Sequence, residues 1–305
     1  MKFCQLLCYP DAHLRAVNEA RALQPEPSYK EAAIKLAENP PDATLSWVPE
    51  LGDAGHNAVI IVANDSVSQR QWVAEKLTDF RSEGDSAWMR DVVIEQLRKF
   101  KVDALCILDP VTFDSRFIRA LKGRPRWIVG HTTALTETRV DWREFDLILS
   151  PHAACVRQAW QWGARDAQVF PSGFPRATAE AVFQVPVTLD VVYFGRWVPG
   201  DAQRNELITA LAETAARQER PFSLGLHVDV PAGSEVPPAV RQLNTGPVHG
   251  VDRYRALHSA AICVTGEPDD DLGETMPAGA FESTGLGVFT LARENGALAG
   301  FFKPD

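Results

Sequence analysis

Residues 103–131 read DALCILDPVTFDSRFIRALKGRPRWIVGH. Residues 104–108 are apolar without a polar break and stop at Asp109-Pro110. An amphipathic stretch over 115–121 follows, and a second apolar run, 127–130, stops at His131. Uninterrupted apolar runs suit strands of a sheet that is covered on both faces. A helical stretch between two of them is the crossover of a parallel pair. The same rhythm extends in both directions. Toward the N-terminus lie strand runs at 3–7 and 58–63 and helical patterns at 66–77 and 88–100. Toward the C-terminus lie 147–150, a helix over 153–162, and 167–170. The first half therefore reads as a Rossmann-like α/β domain. Residues 24–56 are less regular, with Pro25, Pro27, Pro40, Pro41 and Pro49, and read as a helix over 29–38 plus a second ending near Gly55.

Residues 171–187, PSGFPRATAEAVFQVPV, carry three prolines and no strand pattern. The βα rhythm restarts beyond them. Strands are expected at 189–194, 222–228, 261–265 and 288–291, with helices at 204–217, 253–259 and 278–284 and a turn-rich stretch over 231–250. The expected domains are 1–172 and 187–305. Two such units in tandem place a cleft between the carboxyl ends of two parallel sheets.

Composition narrows the class. The chain is 305 residues long, 45% apolar and 23% charged, which excludes disordered and fibrous classes. With 31 basic against 40 acidic side chains its net charge is −9, so gripping duplex nucleic acid is not favoured. Five scattered cysteines without a CxxC fit a reducing compartment. The apolar run at the N-terminus, ended by Pro10, is too short for a signal peptide or a membrane span. The histidines show no ligand spacing, and the acidic run 269–271 reads as a solvated loop, so no metal site is expected. A soluble, cytoplasmic protein is expected.

The segment most informative for chemistry is 273–287, GETMPAGAFESTGLG. Pro277 marks a helix start, where unpaired backbone N–H groups and the helix dipole can hold phosphate oxygens. Glu274 and Glu282 lie eight residues apart, one at the loop end and one a little over a turn into the helix. Glu282 could accept hydrogen bonds from the vicinal hydroxyls of a ribose, with Glu274 toward the sugar end of such a ligand. A capping acid plus an exposed helical Glu remains the plainer alternative.

That segment resembles the E-x7-E region of family 4-like, GT-B fold glycosyltransferases. The chain as a whole resembles the CgeB-type (spore-maturation-protein-like) group. The ordered set that carries the resemblance runs over nearly the whole chain. It comprises MKFCQLLCYPD, SYKEAAIKL, ELGDAGHNAVIIVAND, RKFKVDALCILDPVTF, RWIVGHTTA, DLILSPHAACVRQAWQWGA, DVVYFGR, YRALHSAAICVTGEP and AFESTGLGVFTL. Where the family carries an Arg three residues before the helical Glu, this chain has Gly279, and where it tends to have Gln this chain has His131. Relatives continue through further helices, so the second domain is expected to be shortened.

The resemblance implies two Rossmann-like domains facing across a cleft. It also implies transfer of a sugar from a nucleoside-diphosphate donor to an unknown acceptor, with retention and without a metal or other cofactor. A catalytically silent nucleotide- or sugar-binding protein and a sugar-nucleotide epimerase are the alternatives. A metal-free site must neutralise a departing diphosphate with basic side chains. Arg196, at the end of the 189–194 strand, and Arg204, at the next helix start, are placed for that, unless both are solvated surface residues. Glu282 and Thr275 join them as donor-binding residues, with Glu274 as the catalytic carboxylate. His131 ends a buried strand, and either meets sugar or acceptor hydroxyls, shuttles a proton, or is structural. Asp109 matches an acidic position of the family and either binds acceptor or caps the following helix.

Overall fold

The computed structural model describes residues 1–23, 28–41, 47–76, 87–171, 173–217, 222–265, 278–293, 296 and 298–302. The chain divides into two compact units, Met1–Pro171 and Ser172–Asp305.

Unit 1 is built on a six-stranded parallel sheet. Its strands are β1 (Lys2–Leu7), β2 (Asn57–Val62), β3 (Ala104–Ile107), β4 (Trp127–His131), β5 (Leu147–Ser150) and β6 (Ala167–Val169), in the order β2-β1-β3-β4-β5-β6. The helices are α1 (Asp11–Leu23), α2 (Tyr29–Glu38), α3 (Val48–Asp53), α4 (Ser66–Lys76), α5 (Trp88–Phe100), α6 (Ser115–Arg119) and α7 (Ala153–Gln161). Every apolar run of the sequence in this half forms a strand, and all four residues of β3 are buried, as continuous hydrophobicity requires.

One core layer of unit 1 joins Cys4 and Leu6 of β1 to Leu105, Ile107, Phe113 and Phe117. Another joins Leu7 to Tyr9, Leu14 and Leu36. Adjacent residues of one strand thus feed opposite layers. The β4–β5 connection has no regular element yet supplies Val140, Trp142 and Phe145 to the first core. Trp142 is held there by its indole N–H, which donates to the carbonyl oxygen of Pro110 at 2.9 Å. A side chain at Gly130 would collide with Ile148 and Phe145, so β4 and the following connection pack in direct contact.

Unit 2 has a four-stranded parallel sheet of order β10-β9-β7-β8. Its strands are β7 (Leu189–Arg196), β8 (Leu224–Asp229), β9 (Ala260–Thr265) and β10 (Phe289–Ala292). Helices α8 (Arg176–Val182), α9 (Ala202–Ala215), α10 (Pro238–Leu243), α11 (Gly250–His258) and α12 (Ala278–Gly285) accompany it. The proline-rich stretch after Pro171 contains α8, and its aromatic residues are anchored. Phe174 meets Tyr254 edge-on at 5.4 Å, and Phe183 meets His258 at 5.6 Å. Gly285 of α12 touches Phe174 so closely that a Cβ there would lie 2.6 Å from the Phe174 Cβ. Among the described residues no helix is long and apolar enough to cross a membrane.

Candidate functional site

In unit 2 Glu282 is joined to Arg253 and Tyr254, and Arg253 to Phe194, whereas Arg196 and Arg204 pair with Asp229 and Asp201. Glu282 lies on α12 and is only 3% exposed. Its Oε2 accepts from Arg253 Nη2 at 2.8 Å and its Oε1 from the Tyr254 hydroxyl at 3.1 Å. The plainer alternative, an exposed helical Glu, is therefore not what the structure holds. Both oxygens are occupied from α11, because Arg253 and Tyr254 stand in its first turns and α12 packs close by. The guanidinium of Arg253 lies 4.4 Å over the Phe194 ring, a cation–π contact.

Phe194 of β7 also stacks on its cross-strand neighbour His227 at 5.1 Å with 12° between the planes. His227 Nδ1 is 2.9 Å from the Thr245 hydroxyl oxygen and 3.3 Å from the Gly246 carbonyl oxygen. Burial holds its imidazole below the ordinary histidine range; the Gly246 carbonyl opposes this and the Arg253 charge adds to it. The sequence carries no Arg at 279, but the fold brings a guanidinium to Glu282 from α11. Gly279 itself packs against β9, where a Cβ would meet Thr265 Cγ2 at 3.3 Å.

Arg196 closes β7 with its side chain 64% exposed. Its Nε is 3.4 Å from Asp229 Oδ2, its register partner on β8. Arg204 is in the first turn of α9 and less exposed. Its Nε is 3.4 Å from Asp201 Oδ2, while Asp201 caps the helix by accepting from Arg204 N–H at 3.0 Å. Glu274, Thr275, Pro277 and the acidic run 269–271 lie outside the described residues. Trp197, directly after Arg196, is buried in the core of unit 2.

In unit 1 the sheet order sets β3, β4 and β5 side by side, so Asp109, His131 and His152 follow or end neighbouring strands. Asp109 Oδ1 accepts from Thr112 N–H at 3.0 Å, a local turn. The cap of α6 is Asp114, which accepts from the N–H groups of Arg116 and Phe117, so Asp109 is not the capping residue. Cys8 lies beside Asp109; burial, then the Asp109 charge, push its thiol up to about 12.

His131 is 5% exposed and edge-on to Trp47 at 5.8 Å, and Trp47 in turn meets Phe170 at 6.0 Å. Burial, then the neighbouring His152, lower the His131 pKa to about 4. At neutral pH it is an uncharged imidazole, suited to hydrogen-bonding hydroxyls rather than to delivering a proton. The unfolded chain binds a proton at His131 near pH 6.5 and the folded chain only near 4, so stability is lost as pH falls through that window. Between pH 7.5 and 5 this site should cost about 2 kcal/mol. Urea unfolding of the wild type and of His131→Asn at both pH values checks this. An equal acid loss in the two proteins would contradict it.

Sequence reasoning passed over Arg253, Tyr254, Phe194 and Trp47. None sits in a spacing motif, and Arg253 lies 29 residues from Glu282 along the chain.

No protein-family model and no curated protein matches the chain. Solved structures do. AviGT4, a glycosyltransferase involved in avilamycin A biosynthesis, superposes with a TM-score of 0.54 at 16% identity, over 97% of this chain and 80% of that one. The chain has the GT-B fold. A DNA-modifying β-glucosyltransferase, solved with and without uridine diphosphoglucose, gives a TM-score of 0.47 at 10% identity, over 97% and 80% of the two chains. The forosaminyltransferase SpnP gives 0.40 at 15% identity, over 98% and 80%.

Proposed function

We propose that the chain is a CgeB-type glycosyltransferase of the cytoplasm. It moves a sugar from a nucleoside-diphosphate donor to an acceptor hydroxyl, with retention and without a metal. The observation that carries the reading is the Arg253–Glu282 pair. A charged pair that ties α11 to the helix of the E-x7-E-like segment, with its guanidinium over Phe194 near the end of the first strand of unit 2, suits a GT-B fold that handles an anionic donor.

In this reading unit 2 receives the nucleotide. Arg253 and Arg196 offer guanidinium donors to the diphosphate, and each fork matches phosphate oxygens bidentately. Arg204 supports the α9 start. Glu282 accepts ribose hydroxyls once its present donors shift; Thr275 is assigned to donor binding and Glu274 to the transfer step from the sequence resemblance alone. Asp109 and the neutral imidazole of His131 meet the acceptor.

Calorimetric titration with UDP-, GDP- and dTDP-sugars, with product analysis, tests this. Binding of at least one and transfer or slow hydrolysis of its sugar is expected. Glu274→Gln should cut turnover more than donor affinity. Absence of binding to any of the three overturns the reading. A second reading is favoured by the internal engagement of both Glu282 oxygens: a silent GT-B protein that binds nucleotide without turning it over. Binding with no release of sugar under any acceptor would select it.

A further inference from the structure

Unit 1 carries a recess of about 810 Å³ that shares no residue with the candidate site. Four arginines line it, Arg116, Arg119, Arg139 and Arg143, against two carboxylates, Asp114 and Asp141. In a chain of net charge −9 that concentration of guanidinium is unusual.

Neither carboxylate is available to neutralise the arginines fully. Asp114 is occupied as the cap of α6, accepting from two backbone N–H groups. Asp141 is shared. Arg143 donates to both its oxygens at 2.9 Å, and Arg119 donates to Oδ2 at 3.2 Å. These hydrogen bonds hold the Asp141 carboxyl far below the usual range, so it stays a carboxylate that fixes two guanidinium groups in place. The side chains of Arg116 and Arg139, both exposed, have no partner among the described residues. The recess thus presents two fixed and two uncommitted guanidinium forks, with Val140 and the half-buried Trp162 as an apolar wall. Its volume is that of a small-molecule site.

We propose that this recess binds a small molecule carrying two or more phosphate groups. Guanidinium forks match phosphate oxygens bidentately, and several in one concavity favour an oligo-anion over a single charge. The acidic remainder of the chain disfavours a long polyanion, which would extend beyond the recess. The site is independent of the transfer reaction proposed above.

Inorganic pyrophosphate is the probe, because it carries the proposed chemistry without a base or a sugar. Arginine modification by phenylglyoxal, read by mass spectrometry, should be slowed at Arg116 and Arg139 when pyrophosphate is present. In calorimetry at low salt, Arg116→Gln/Arg139→Gln should weaken this binding phase at least about tenfold, the equivalent of one charge-assisted hydrogen bond. Binding should weaken as salt is added. A donor site in unit 2 that also takes pyrophosphate would survive the double substitution, which separates the two. Both arginines are exposed and uncommitted, so the melting temperature should hold. Unprotected Arg116 and Arg139, or a pyrophosphate isotherm identical in wild type and double variant, would overturn the proposal.

Discussion

Arg253→Met is expected to lower the unfolding free energy by about 3–4 kcal/mol, because it strands a buried carboxylate. Glu282 is almost fully enclosed, and Arg253 supplies its charged partner while Tyr254 supplies only a neutral hydroxyl. Glu282→Ala should cost somewhat less, about 2–3 kcal/mol, since Arg253 is 27% exposed and can turn toward water. The double variant Arg253→Met/Glu282→Ala should cost much less than the two single losses combined, because no lone charge then remains buried. Denaturant melts of the four proteins give the coupling directly. Additive single losses, with no recovery in the double variant, would mean that the pair is not the unit described. Donor affinity measured on folded protein then separates binding from stability. Glu282→Ala should lose donor affinity roughly tenfold or more if the ribose reading holds. Unchanged affinity would leave Glu282 as a positioning residue for Arg253 alone.

The strands were legible because parallel sheets demand continuous apolar runs, and such runs are visible without partners. Leu147–Ser150 and Trp88–Phe100 form as the sequence pattern marks them. What escaped was structure whose buried face is not apolar. Helix α1 buries His13, Leu14 and Arg21, so two of its three buried positions are polar and no hydrophobic period announces it. Helix α8 lies in a stretch that three prolines mark as a joint; Pro175 precedes its first residue, where proline is tolerated, and does not break it. The β4–β5 connection is irregular, yet Trp142 and Phe145 are fully buried, and periodicity is silent about loops that fold inward. The site divides the same way. Strand ends located Asp109, His131 and Arg196, because a residue after an apolar run must lie at the carboxyl edge. The partners that decide the chemistry of Glu282 and His131 come from distant segments, Arg253 from α11 and Trp47 from just before α3. Only the packed chain brings them together.

Arg21→Met should destabilise unit 1 heavily, by about 3–5 kcal/mol. Asp65 is 0% exposed and Arg21 only 6%, with Nη1 at 2.6 Å from Asp65 Oδ2. The Ser68 hydroxyl donates to the same oxygen, whereas Oδ1 has no partner among the described residues. The charge of Asp65 is therefore answered mainly from Arg21, and a Met there leaves a fully desolvated carboxylate with one hydroxyl. Asp65→Asn in the Arg21→Met background should restore most of the stability. A neutral amide still accepts from Ser68 and carries no charge to strand. Arg21→Met within about 0.5 kcal/mol of wild type, or no recovery on adding Asp65→Asn, would refute this account. The consequence reaches the candidate site through adjoining segments. Asn64, next to Asp65, accepts from Tyr9 N–H at 2.9 Å and donates to the Tyr9 carbonyl at 2.8 Å. Tyr9 follows Cys8, which lies against Asp109. The ion pair thus braces the turn after β2, that turn braces the end of β1, and β1 flanks the strand that presents Asp109. On the proposed reading of Asp109 as an acceptor-side residue, any transfer activity lost in Arg21→Met, on protein shown to be folded, should return together with stability when Asp65→Asn is added.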